Sequence, residues 1–98
     1  MIRVFVNKDK IEVKGHSGYD DYGKDIVCSS VSSIVTTTIN GIISIDSDAI
    51  KYNYKDDCMT IEILKNDLII QKLIDNMVDL LKELSTNYPK NIIVKENV

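Results

Sequence analysis

The segment DIVCSSVSSIVTTTINGIIS, residues 25–44, decides what this chain folds into, because it reads both as a helix and as two strands. As a hairpin, Ser33 to Ile39 forms one strand, Asn40-Gly41 the tight turn, and Ile42 to Ile45 the return. Three consecutive threonines, Thr36 to Thr38, and the isoleucines around them favour that reading, since β-branched side chains lose rotamer freedom in a helix. As a helix, Cys28, Val31, Val35, Ile39 and Ile42 recur at spacings of three and four and share one face. Asp25 then falls at the N-cap, just before the first periodic residues, where its carboxylate can accept from unpaired amides. Propensity supports the hairpin, spacing and capping support the helix, and local rules leave both open.

The flanking segments are plainer. Ile2, Val4 and Val6 alternate with Arg3 and Phe5, and Ile11 and Val13 alternate with Glu12 and Lys14. Asn7-Lys8-Asp9 lies between them, so residues 2–15 read as a β-hairpin. A second hairpin is expected over residues 49–64, with Ile50, Tyr52 and Tyr54 in one strand, Met59, Ile61 and Ile63 in the other, and Asp56-Asp57 at the turn. From Leu68 to Tyr88 the positions Ile70, Leu73, Ile74, Met77, Leu81 and Leu84 form an amphipathic helical stripe, capped by Asn66 or Asp67 and ended by Pro89. Residues 91–95 read as a last short strand. With a helix over the ambiguous segment, the order is ββαββαβ. That order predicts an α+β fold in two layers, with two helices packed on one face of a single mixed β-sheet.

Composition bounds the function. Ninety-eight residues make one domain, residues 1–98, and 44% hydrophobic content suffices for a packed core. The amino terminus lacks the features of a signal peptide and no apolar run approaches the roughly 20 residues of a membrane span, so a cytoplasmic protein without a membrane partner is expected. Twelve basic against fifteen acidic side chains give a net charge of −3. Such a chain offers no basic stripe to neutralise phosphates, which speaks against direct nucleic-acid binding and for a basic protein partner. Cys28 and Cys58 read as free thiols, and three Cys and His residues in all fall short of a four-ligand zinc site. Neither metal nor cofactor is expected.

Chemistry concentrates in residues 15–28. His16, the single histidine, lies in the glycine-rich loop Gly15-His16-Ser17-Gly18-Tyr19-Asp20-Asp21-Tyr22-Gly23, and Cys28 would occupy the third position of the first helix. A thiol at a helix start with an imidazole nearby is the arrangement from which a cysteine nucleophile is made. Amides converging there could also receive an oxyanion. Ser32 falls one turn after Cys28. The bland alternatives are a small core cysteine, a solvated loop histidine, and an Asp20-Asp21-Asp25 set that is a hydrated face plus a cap. Cys58, with no histidine near it in sequence, reads as structural. Tyr19 and Tyr22 are aromatics in a loop and need something to cover.

The joined motif Gly15-His16-Ser17-Gly18-Tyr19 and Gly23-Lys24-Asp25-Ile26-Val27-Cys28-Ser29-Ser30-Val31-Ser32 resembles the signature of the bacterial ribosomal-processing cysteine proteases, the Prp family. That pattern runs Gly-His-Ala-x-Tyr, a short gap, then Gly-x-Asp-Ile-Val-Cys-Ala-Ala-Val-Ser. Ser17 and Ser29-Ser30 stand where alanines are usual, and Asp20 where Ala is common. The resemblance spans essentially the whole chain and favours the helix over residues 25–44. It implies a homodimeric cysteine endopeptidase that removes the amino-terminal extension of large-subunit ribosomal protein L-twenty-seven. It further implies Cys28 as nucleophile, His16 as base, Asp25 and Ser32 in support, and the loop from Gly15 to Gly23 against the substrate. Two competing readings are a non-catalytic acidic module binding a basic ribosomal or ribosome-assembly protein, and a thiol redox protein using Cys28 and Cys58.

Overall fold

The computed structural model describes residues 1–21, 24–65 and 67–96. The element order is β1 (Ile2–Val6), β2 (Lys10–Lys14), α1 (Ile26–Ile45), β3 (Ile50–Lys55), β4 (Cys58–Ile63), α2 (Leu68–Asn87) and β5 (Ile92–Glu96). This is the expected ββαββαβ order. The five strands form one sheet in the order β3-β4-β2-β1-β5. Neighbours are antiparallel except β1 and β5, which run parallel with Ile2 opposite Ile92, so the sheet is mixed.

Strand register places the alternating apolar residues in rows across one face. Val4 lies opposite Val13 and Val94, Ile11 opposite Ile61, and Val13 opposite Met59. This face and the buried stripes of both helices close a single core that includes Val4, Ile11, Ile61, Met77, Leu81 and Ile92. The opposite face carries Arg3, Lys10, Glu12, Thr60 and Glu62, as strand alternation requires.

The ambiguous segment is helical throughout. Its buried residues are Val27, Val31, Val35, Ile39 and Ile42, whereas Ser29, Ser33 and Thr37, which a pleated strand would put on the same face as the first four, are exposed. Gly41 sits inside the helix, with nothing within 4 Å of the place a Cβ would occupy. Its hydroxyls turn back onto the helix: Ser30 Oγ donates to the Ile26 carbonyl at 2.7 Å and Thr38 Oγ1 to the Ile34 carbonyl at 3.0 Å. By length and mean hydropathy, 1.6, α1 resembles a membrane-crossing helix, yet here its apolar stripe is core. α2 is capped by Asp67, whose carboxylate accepts from the Ile69 amide at 2.8 Å; Asn66 lies outside the described residues.

Each hairpin turn is set by its own residues. In the first, Asn7 Oδ1 accepts from the Asp9 amide at 3.1 Å. In the second, Asp56 and Asp57 both adopt left-handed backbone, φ 53° and 59°, the conformation that a two-residue hairpin turn demands.

Candidate active site

β2 leads directly into the site. Because β2 pairs with β4, with Lys14 opposite Cys58, the residues after Lys14 emerge beside the β3–β4 turn. The Gly15 amide donates to the Asp57 carbonyl at 3.1 Å. Gly15 has φ +89°, and a Cβ there would meet the Met1 carbonyl oxygen at 2.7 Å, so a side chain is excluded on both counts. The chain then runs through His16 and Ser17 to Gly18, also at positive φ. Asn91 Nδ2 donates to the Ser17 carbonyl at 3.1 Å, tying this loop to the residue before β5.

Asp25 is the hub. One carboxylate oxygen, Oδ1, caps α1 by accepting from the amides of Val27 at 3.0 Å and Cys28 at 2.9 Å. The other, Oδ2, accepts from the Ser17 hydroxyl and from the amides of Tyr19 at 3.1 Å and Asp20 at 3.3 Å. One buried carboxylate thus laces the glycine loop to the start of the helix. Burial alone would raise its pKa, but the Ser17 hydroxyl and the Cys28, Asp20 and Tyr19 amides outweigh burial and hold it at about 2. It is a fixed negative charge across the physiological range.

Cys28 lies on the shoulder of the buried stripe, partly exposed, rather than within it. Its Sγ sits 3.4 Å from both the Ser17 amide, which donates to it, and the Ser17 hydroxyl oxygen, to which the thiol donates. The expectation that helix-start amides stand ready for an oxyanion needs amendment, since Asp25 engages those of Val27 and Cys28. The amide directed at the sulfur comes instead from the loop, at Ser17. That residue is 2% exposed and acts as a strut under the site rather than a substrate-facing surface.

A groove of about 910 Å³ opens above the sulfur. His16, Gly18, Asp20, Asp25, Cys28 and Ser32 line one side, so the structure gathers into one cleft residues that the sequence separates by up to sixteen positions. Val13, Tyr54 and Met59 of the sheet and Asp57 of the β3–β4 turn complete the lining. His16 is exposed, with Nε2 3.2 Å from Asp57 Oδ2. Asp57 was not among the residues expected here; only the β2–β4 pairing brings it to His16, and sequence spacing carries no signal of that pairing.

Other expected residues divide. Tyr19 turns away from the groove and meets Tyr88 edge to face, centroids 5.4 Å apart, at the end of α2. Asp21 is exposed, and its carbonyl accepts from the Lys24 amide. Tyr22 and Gly23 lie outside the described residues. Cys58 sits on the polar face of β4 with Sγ 3.9 Å from Thr60 Oγ1, and the sheet stands between it and Cys28, which leaves the two-thiol redox reading without geometry.

Residues 1–93 match the family model for cysteine protease Prp. The ribosomal processing cysteine protease Prp of Staphylococcus aureus is 30% identical over 81 residues, covering 80% of this chain and 76% of that protein. Its counterpart in Mycoplasma genitalium is 27% identical over 109 residues, covering 98% and 96%. The crystal structure of the S. aureus protease in complex with a covalently linked product peptide superposes with a TM-score of 0.94 at 25% identity, over 99% of this chain and all of that one. A non-catalytic binding module is thereby set aside: the chain is a cysteine protease and belongs to the Prp family of ribosomal processing proteases.

Proposed function

We propose that this chain is a cytoplasmic endopeptidase that removes the amino-terminal extension from the precursor of ribosomal protein L-twenty-seven, with Cys28 as nucleophile and His16 as general base. The observation that carries the reading is that Cys28 and His16 line one groove, with the Ser17 amide of the loop between them 3.4 Å from Cys28 Sγ. The relatives named as ribosomal processing proteases support the substrate class.

His16 takes the thiol proton and the sulfur attacks the scissile carbonyl carbon, forming the C–S bond and a tetrahedral oxyanion. Collapse breaks the C–N bond while the imidazolium returns its proton to the departing amine. Water, deprotonated by His16, then attacks the thioester, and the C–S bond breaks to release the acid and the thiol. Asp25 and Ser17 touch no reacting atom of the substrate; they hold the loop and the sulfur in register. Ser32, exposed on the groove wall one turn beyond the nucleophile, contacts substrate. The protease acts as a homodimer, as the family resemblance implies, and light scattering of the purified chain reads this directly.

The deciding experiment is mass spectrometry of a peptide spanning the extension and the first mature residues, incubated with the purified protein. A single internal cut that disappears in a folded Cys28→Ala protein is the expected result. No cut, or a cut that survives the substitution, refutes the proposal.

A further inference from the structure

The Asp57 carboxylate, presented by the β3–β4 turn, lies beside the imidazole of His16 at the groove. We propose that Asp57 is the positioning residue for His16, so that the site works as a Cys28–His16–Asp57 triad; the inference rests on His16 being the general base. Three observations converge on it. Asp57 Oδ2 lies 3.2 Å from His16 Nε2, and Asp57 also lines the groove that holds Cys28. The Gly15 amide bonds the Asp57 carbonyl at 3.1 Å, so the turn is fixed to the residue immediately before His16. Asp57 itself has φ 59°, the left-handed conformation of the tight turn, so the turn fixes the backbone from which its carboxylate extends.

The contact has a chemical consequence. A carboxylate can only accept, so at 3.2 Å it favours the neutral tautomer with its proton on Nε2, in which the Nδ1 lone pair is free to act as base. When His16 has taken the thiol proton, the same carboxylate lies against the imidazolium and opposes its charge. Asp20 also lines the groove on the histidine side, but it is bound to the loop: its amide donates to Asp25 and its Oδ1 accepts from the Asp21 amide. The β3–β4 turn thus supplies the orienting group, and β2–β4 pairing explains how a residue 41 positions after His16 reaches it.

The turn conformation offers a clean test, because Asp57→Gly removes the carboxylate while suiting the backbone better than aspartate does. Kinetics on the peptide spanning the cut, with melting temperature as the control for folding, should show kcat reduced roughly fivefold or more, as expected for loss of an exposed charge pair together with its orienting contact. KM should move less than about twofold. Asp57→Asn, also compatible with the left-handed backbone, should lose kcat in the same direction. Because His16 is the single histidine of the chain, imidazole nitrogen chemical shifts give an independent reading. The parent should hold one tautomer, protonated at Nε2, and Asp57→Gly should mix the two. Turnover within twofold of the parent in a folded Asp57→Gly protein, with unchanged imidazole shifts, overturns the assignment. If in that case His16→Ala and Cys28→Ala are still inactive, the Cys–His reading stands and only the third member falls. Activity surviving in His16→Ala overturns the base assignment on which the inference rests.

Discussion

Cys28 and Cys58 are the same side chain in opposed settings. One lies at a helix start above a buried carboxylate, within 3.4 Å of a loop amide, and opens into the groove; the other rests on the polar face of a strand. Cys28→Ala should abolish cleavage, and Cys58→Ala should leave turnover within about twofold of the parent, since substitutions away from a site change little. A Cys58 variant as inactive as the Cys28 variant would contradict that division. Asp25 is the more informative residue for stability. Removing an N-cap costs about 1 kcal/mol, and here the Ser17 hydroxyl and two loop amides lose their acceptor as well, so Asp25→Ala should cost more than a simple cap. Its folded pKa of about 2 lies below the ordinary 3.8 of the unfolded chain. The stabilisation it provides is therefore present above about pH 4 and is lost as pH falls from there through about 2. Chemical denaturation of parent and Asp25→Asn between pH 6 and pH 2 tests this. The stability difference between them should shrink over that window, and a constant difference would show that the carboxylate charge is not what the native state uses.

At the scale of elements, α1 shows where local rules stop. The Asn40-Gly41 pair and the threonine run are real hairpin signals, yet the helix prevails because its buried ladder fits the sheet while Asp25 secures its first turn. The remaining glycine is a residual cost: Gly41 lies mid-helix with open space where a Cβ would stand. Gly41→Ala should stabilise the fold by about 0.5–1 kcal/mol and raise the melting temperature by a few degrees. A lowered melting temperature would mean that the helix relies on glycine at this point. The strands and α2 were readable because alternation and the 3.6-residue stripe are written locally, and His16, Cys28 and Asp25 stood out as a motif. Three features lay beyond that reading. Asp57 joins the groove through the pairing of β2 with β4, Tyr19 finds Tyr88 at the end of a helix that begins 49 residues later in the chain, and the cap takes up amides that otherwise look free for an oxyanion. The first two depend on contacts between segments distant in sequence, where spacing has nothing to say; the third is local and follows from the Asp25 cap itself.

Across the whole molecule, the net charge of −3 suits the proposed substrate, a ribosomal protein that must be basic to bind RNA. The residues beyond the proposed cut are expected to be rich in lysine and arginine, and the loop beside the groove carries Asp20 on its wall and Asp21 exposed next to it. Both can approach the departing basic segment. Exposed charge pairs contribute only about 0–1 kcal/mol each and are screened over roughly 10 Å at 0.1 M salt, so the effect should be modest and confined to low ionic strength. It should also fall on substrate capture rather than on the chemical step, because charges remote from the scissile bond interact equally with the ground and transition states. Asp20→Asn with Asp21→Asn should therefore raise KM severalfold at low salt with kcat little changed, and high salt should bring parent and variant together. A peptide lacking the downstream basic residues should show no difference at any salt. The Asp20 amide, not its carboxylate, donates to Asp25, so the substitution leaves the lacing of the loop in place and isolates the charge. If the double variant matches the parent on the basic peptide at low salt, the acidic loop serves solvation, and selection of the precursor falls to the groove between α1 and the sheet.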